Sequence, residues 1–282
     1  MRGAWCLVVA LQAVLLGETS GAAQTIDVRR ADGTTTPLRV YAPAYATCPP
    51  VALISPGLGG SERGYVYLAE ALAADGWLAI VMGHRESGPQ PLRAHLRSEG
   101  VHAGILTMLT DPALHRYRER DVDAALTWAQ RACKAPFLAL LGHSMGGVTA
   151  MLEAGAHDVL GVGGANRFDA YVAISPEGPG PVFATHAWRD IRKPVLMITG
   201  TRDQGIAGDW RWRARAYADL PAGCAWLGVI EGATHFNFAD RGLSAATTTR
   251  LTTDATLTFL DSVRTGVCPV PRAQAGIGYE HK

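Results

Sequence analysis

The chain has 282 residues, an apolar fraction of 48% and a net charge of +1, its basic residues scattered along the sequence. That length suits one large domain or two small ones around a buried core, and the composition is that of a globular rather than a disordered chain. There is no concentrated basic patch to grip a nucleic acid or an anionic membrane surface, so neither partner is expected.

The first residues stand apart from the rest. Arg2, the uncharged run "AWCLVVALQAVLL" and the small residues "SGAA" have the three-part layout of a secretory signal peptide. Residues 1–23 therefore read as a leader cleaved near Ala22 or Ala23, for a protein that is secreted or periplasmic. The apolar run is shorter than the roughly 20 residues of a membrane span, so no stable membrane insertion is expected. Cys6 leaves with the leader, and Cys48, Cys133, Cys224 and Cys268 remain. An even count in an exported chain favours disulfides. None has C-x-x-C spacing or a neighbouring histidine, so no metal site is expected.

Beyond the leader, "QTIDVRRADGTTTPLRVYAP" holds two β-prone runs about Asp32-Gly33, a hairpin pattern. "VALIS" (51–55) is a short continuous apolar run, the mark of a strand buried on both faces. Ser61 is placed to cap a helix with Gly64 in its first turn, and "YVYLAEALAADG" carries that helix to Gly76. "WLAIVM" reads as strand. Residues 84–112, rich in Gly, Pro and Arg, read as an irregular excursion over one end of the sheet. "PALHRYRERDVDAALTWAQRA" predicts an amphipathic helix that buries Leu114, Tyr117, Val122, Ala125, Leu126 and Ala129. Its Arg120 and Asp121 are expected to make structural polar contacts beneath the ligand end. "FLALLG", "FDAYVAIS", "PVLMITG" and "CAWLGVIEG" are further strands. They are separated by the helices "MGGVTAMLEAGA" and "DWRWRARAYADL" and the Pro/Gly-rich loop "PEGPGPVFATHAW". Trp210 and Trp212 lie two apart and cannot share a helix face, so one should be exposed. "LSAATTTRLTTDATLTFLDSVRTG" closes the chain as a helix, and residues 269–282 read as a loose tail.

Alternating strands and helices predict an α/β fold: a mostly parallel sheet of about eight strands including the antiparallel N-terminal hairpin, with helices on both faces. Residues 24–282 then form a single catalytic domain. Ligands in such sheets sit at the carboxyl ends of strands. Ser144, Asp203 and His235 each follow a different strand, in the order Ser, Asp, His that accompanies a nucleophile elbow. G-x-S-x-G alone would arise in about one shuffle in ten of so Gly-rich a chain, so the joint placement carries the argument. A serine hydroxyl needs a base, imidazole titrates near neutrality, and the imidazole needs a carboxylate to fix its tautomer. Gly142 and Gly146 are small because side chains would clash in so tight a turn. "SPGLGGS" after "VALIS" offers the Leu58 amide, and the residue after the serine offers the Met145 amide, as two oxyanion donors.

These motifs, with "YRERDVDAAL", "PVLMITGTRD" and "GATHF", resemble the α/β-hydrolase superfamily, in its dienelactone-hydrolase-like and platelet-activating-factor-acetylhydrolase-like serine esterase branch. The resemblance runs from about Gln24 to Thr265. It implies Ser144, Asp203 and His235 as catalytic triad, Leu58 and Met145 as oxyanion amides, and no cofactor. Dienelactone hydrolases proper carry a cysteine nucleophile, so the serine argues against that reaction. The family's histidine before the oxyanion glycine is Pro56 in this chain.

The reading that follows is a serine hydrolase acting on a small-molecule carboxylic ester as a monomer. A lipase, acetylhydrolase or polyester hydrolase shares this mechanism, and a peptidase or transferase differs only in leaving group or acceptor. A non-catalytic binding protein on the same scaffold is the alternative of another class. Glu177 is the rival acid and His186 the rival base; His143 should turn into the fold. Trp188 and His84 are candidate substrate contacts. In this fold strands three and five are neighbours, so Cys48 and Cys133 sit at one end of adjacent strands. Cys224 opens the last strand, and Cys268 follows a helix returning to that end. The expected bonds are Cys48–Cys133 and Cys224–Cys268.

Overall fold

The computed structural model describes residues 23–282; the leader and Cys6 lie outside the described residues. The hairpin forms as β1 (Gln24–Arg29) and β2 (Thr35–Tyr41), paired antiparallel. The apolar runs become β3 (Val51–Ser55), β4 (Leu78–Met82), β5 (Leu138–His143), β6 (Ala170–Ile174), β7 (Val195–Arg202) and β8 (Ala225–Thr234). With β9 (Ile277–His281) at the far edge, the strand order is β1-β2-β4-β3-β5-β6-β7-β8-β9, and β3 to β8 run parallel. All five residues of β3 are buried, which is why its sequence is continuously apolar rather than alternating.

Successive strand residues point to opposite faces and fill two cores. Leu53, Leu140, Tyr171 and Met197 pack with α4 (Pro112–Ala129), α5 (Met145–Glu153) and α6 (Trp210–Asp219). Ile54, Leu141, Val172 and Ile198 pack with α1 (Val66–Ala74) and α7 (Ala245–Arg264).

Four local expectations are corrected. Residues 84–112 are largely helical, as α2 (Pro89–Glu99) and α3 (Val101–Thr110). Pro89 stands at the first turn, where it is tolerated, and Gly100 separates the helices at φ 82°. No residue of α2 is fully buried, and its apolar face is only Leu92 and Leu96 on an otherwise polar helix, too short a stripe to stand out. The tail is not loose: β9 (Ile277–His281) adds antiparallel to β8 and makes nine strands rather than about eight. Helix α1 begins at Val66, after Tyr65 at φ 55°, so Ser61 belongs to the preceding loop. In α4, Val122, Ala125, Leu126 and Ala129 are buried as expected, but Leu114 and Tyr117 are only half-buried. The inward positions of the first turns go instead to His115, Arg118 and Asp121. Arg120 is exposed beside Asp32, while of the two tryptophans of α6 it is Trp212 that is buried.

Both disulfides form with the expected pairing, Cys48–Cys133 and Cys224–Cys268, closing separations of 85 and 44 residues. Cys48 precedes β3, Cys133 precedes β5 and Cys224 precedes β8, so both bonds lie at the amino ends of the strands. In the chain-entropy view each contributes on the order of 4 kcal/mol. Reduction is expected to lower the thermal midpoint of unfolding clearly while, below that midpoint, leaving turnover per folded molecule unchanged. Calorimetry and activity assays with and without reductant check this, and an unchanged midpoint contradicts it.

Candidate active site

Ser144 stands between β5 and α5 at φ 55° and ψ −119°, a backbone conformation costly for any residue with a side chain. The surroundings enforce it. A Cβ on Gly142 would overlap the carbonyl of Gly146, and one on Gly146 would overlap the carbonyl of Ser55. The turn therefore packs backbone on backbone, and the serine side chain is thrown clear of it. The Ser144 amide is tied to the carbonyl of Ile174 at 2.9 Å.

Three strand ends converge there. Ser144 Oγ lies 3.0 Å from His235 Nε2, and His235 Nδ1 lies 3.1 Å from Asp203 Oδ1. His235 follows β8 in a turn braced by Asn237, which accepts from the Thr234 amide and donates to the carbonyls of Arg241 and Leu243. Asp203 is fully buried at the end of β7 and also accepts from Thr199 Oγ1 at 2.9 Å. Burial pulls the Asp203 pKa upward. Hydrogen bonds from His235 and Ser175 and the charge of Arg213 more than offset this and hold it at about 2. The ionised carboxylate accepts a hydrogen bond from the Nδ1–H of His235, which leaves Nε2 as the lone-pair nitrogen facing the serine.

Two supporting residues escaped the reading of the sequence. Ser175, buried at φ 49°, places Oγ 2.7 Å from His235 Nδ1. It directly follows β6, so the same strand-end rule that found the other three would have flagged it. Arg213, 2% exposed, sets Nε 3.1 Å from Asp203 Oδ1 and also reaches the carbonyls of Ser175 and Pro176. It is one arginine among several in α6, and nothing in the sequence separates it from the rest. The rivals fall away on geometry. Glu177 pairs with Arg213 at 3.4 Å, and His186, largely exposed, pairs with Asp219. His143 turns inward as expected: its Nδ1 meets the Tyr65 hydroxyl at 2.7 Å. Burial and the charge of His235 hold its pKa well below the ordinary value.

The loop after β3 presents four consecutive amides, Gly57 to Gly60. Gly57 donates to Tyr65 Oη, Gly59 to the carbonyl of Ser87, and Gly60 to the carbonyl of Gly57. Leu58 alone donates to nothing among the described residues, and neither does Met145 at the start of α5. Leu58 and Ser144 line a cleft of about 290 Å³ whose walls include Gly57 to Ser61, His235, Phe236 and Arg241, and Met145 directly follows the serine. A nucleophile with an aligned base and two unspent amides is an arrangement able to carry out acyl transfer. A larger concavity of about 690 Å³, lined by Tyr45, Glu70 and Asp75, precedes β4 at the opposite end and holds no such grouping.

Neither candidate substrate contact lines the cleft. Trp188 is wholly buried and packs against Phe183 at 5.1 Å, because the loop before β7 folds inward over the core. His84 is 3% exposed and held between Ser55 Oγ at 2.9 Å and Asp121 Oδ2 at 2.8 Å. Burial and the charge of Arg118 lower the His84 pKa from 6.5 to about 4, against the pull of Asp121. Between those values the unfolded chain binds the proton that the folded one refuses. Stability is therefore full above about pH 6.5 and falls as pH drops towards 4, by on the order of 3 kcal/mol from this residue. Urea unfolding at pH 7 and pH 4.5 should show a shallower loss for His84→Asn than for wild type; equal losses contradict the assignment.

The sequence profile described as the alpha/beta hydrolase fold matches residues 50–209. The chain belongs to the α/β-hydrolase fold family. None of the curated proteins matches it. Among solved structures it is similar to a protein of Klebsiella pneumoniae assigned as a dienelactone hydrolase, at 19% identity and a TM-score of 0.57, over 86% of this chain and 99% of that one. Est1E of Butyrivibrio proteoclasticus aligns at 15% identity and a TM-score of 0.58, over 84% and 99%. The esterase Pf2001 of Pyrococcus furiosus aligns at 15% and 0.56, over 85% and 92%. At such identities the likeness is one of fold.

Proposed function

We propose that this α/β-hydrolase is an exported serine esterase that cleaves carboxylic esters of small molecules through an acyl-enzyme on Ser144. The observation that carries the reading is the line from Ser144 Oγ through both nitrogens of His235 to Asp203, at 3.0 and 3.1 Å. Ser144 Oγ attacks the ester carbonyl while His235 Nε2 takes its proton. The carbonyl oxygen, now an anion, accepts from the Leu58 and Met145 amides. Collapse expels the alcohol, which leaves with the proton held by His235. Water then gives a proton to His235 and attacks the acyl carbon, releasing the acid and restoring the serine. Asp203 stays ionised and stabilises the imidazolium throughout.

The two disulfides fit an extracellular or periplasmic protein, and no described helix is long and apolar enough to cross a membrane. The volume of about 290 Å³ favours short and medium acyl groups over long fatty chains. Lipases, acetylhydrolases and polyester hydrolases share the chemistry and differ in what this cleft admits. The working form proposed is a monomer of residues 24–282. A series of p-nitrophenyl esters from acetate through butyrate and octanoate to palmitate tests the reading. Turnover is expected to peak among the short chains and fade before palmitate. Folded protein that hydrolyses none of them would point to the binding-protein alternative.

A further inference from the structure

Arg118 is 1% exposed in the second turn of α4, and each of its nitrogens donates to an uncharged oxygen rather than a carboxylate. Nε bonds Thr149 Oγ1 at 3.1 Å, Nη1 bonds Ser87 Oγ at 2.7 Å, and Nη2 bonds the carbonyl of Pro56. A buried cation without an ion-pair partner is a poor device for stability, which prompts the question of what it holds.

Each acceptor belongs to a segment that sets one of the two unspent amides. The Pro56 carbonyl shares its peptide plane with the Gly57 amide, which is fixed at its other end by Tyr65 Oη at 3.3 Å. The Ser87 hydroxyl takes Nη1 while the Ser87 carbonyl takes the Gly59 amide at 2.8 Å. The Pro56–Gly57 peptide, one before the peptide that carries the Leu58 amide, and the Leu58–Gly59 peptide, one after it, are thus held by Arg118 or by a residue it touches. On the other side, Thr149 Oγ1 accepts from Arg118 and donates to the Met145 carbonyl at 3.1 Å. One planar guanidinium therefore joins the loop bearing Leu58 to the helix turn bearing Met145. A lysine ammonium, a point donor on a flexible stem, does not present the same fork.

We infer that Arg118 is a positioning residue for ester hydrolysis, holding the Leu58 and Met145 amides at the separation that a single oxyanion requires. The inference rests on the acyl-enzyme reading above. It is tested with Arg118→Gln, Arg118→Lys and the near-isosteric Thr149→Val. For each, active sites are counted with a fluorophosphonate, and kcat and KM are measured per active site on the best p-nitrophenyl ester. Inhibition by the trifluoromethyl ketone of matching acyl chain is measured alongside, since its serine adduct places an oxyanion where the ester would.

Arg118→Gln is expected to lower kcat by about 10²-fold with KM within roughly 3-fold of wild type, and to weaken the ketone in parallel with kcat. Arg118→Lys should recover part of both. A purely structural arginine would lower the melting point and the count of active sites while leaving kcat and ketone affinity per site unchanged, and that result overturns the inference. Should Arg118→Gln not fold, Thr149→Val decides: parallel losses of about 10-fold support the role, and unaltered constants refute it. Labelling of the wild type at Ser144 is read separately. Its failure removes the esterase reading and this inference together, whereas its success with unaltered variants removes this inference alone.

Discussion

Replacing Ser144 by alanine is expected to lower kcat on an ester substrate by roughly 10⁶-fold, with KM little changed and the melting temperature within a few degrees of wild type. The hydroxyl's contact with the rest of the protein is its bond to His235, and alanine keeps both the turn and the small volume. Losing it removes the atom that becomes acylated and leaves the cleft, the two amides and the imidazole in place. Asp203→Asn is expected to behave differently, with a fall of about 10⁴-fold because the amide favours the wrong imidazole tautomer. It should also destabilise the fold, since Asp203 faces the buried guanidinium of Arg213 at 3.1 Å and accepts from Thr199. Steady-state kinetics and calorimetry on the two variants separate a group that only reacts from one that also holds its neighbours. A Ser144→Ala protein retaining a tenth of wild-type turnover would contradict the assignment.

The second large effect concerns stability. Gly146→Ala should cost about 4 kcal/mol or more, lowering the melting temperature by about 10 °C or abolishing folding. The added Cβ would overlap the carbonyl of Ser55 and crowd that of Pro56. Backbone cannot step aside as the end of a side chain can, so β3 and the nucleophile turn would have to part. Gly142→Ala meets the carbonyl of Gly146 and should be as severe. Gly76→Ala serves as the control: its φ of +91° strains alanine, but no atom lies near the new Cβ, so about 1 kcal/mol is expected. Equal costs at Gly146 and Gly76 would contradict the crowding argument for glycine in the elbow.

What the sequence disclosed follows from where its side chains end up. Strands β5 and β7 are buried along most of their length, so "FLALLG" and "PVLMITG" were legible as strands and their ends as places for Ser144 and Asp203. The disulfide pairing followed from strand adjacency once the fold was assumed. Helices α2 and α3 were not legible as helices, because α2 buries no residue fully and Pro and Gly mark its ends. Strand β9 was hidden by glycines and prolines around a run whose first residue, Ile277, is its only buried side chain. The harder failure lies in α4. Asp121 was expected in polar contacts and meets His84, but His115 and Arg118, at three-residue intervals before it, gave no sign that they too point into the protein, where Arg118 meets Ser87 and the Pro56 carbonyl and His115 the carbonyl of Leu109. Polar pattern alone does not distinguish a wet surface from a buried network beneath a site. For His84 and Trp188 the sequence left substrate contact open beside a structural role, because position near a strand end or loop gives no direction for the side chain; both are buried.

The most direct test of the central claim, that one serine is activated by one imidazole at a common rim, is reaction of the folded wild-type protein with a fluorophosphonate followed by peptide mass mapping. A single adduct per chain on the peptide holding Ser144, with labelling slowed at least 10³-fold in His235→Ala, is the predicted result. No adduct, an adduct on another residue, or labelling unaffected by loss of the imidazole would contradict it.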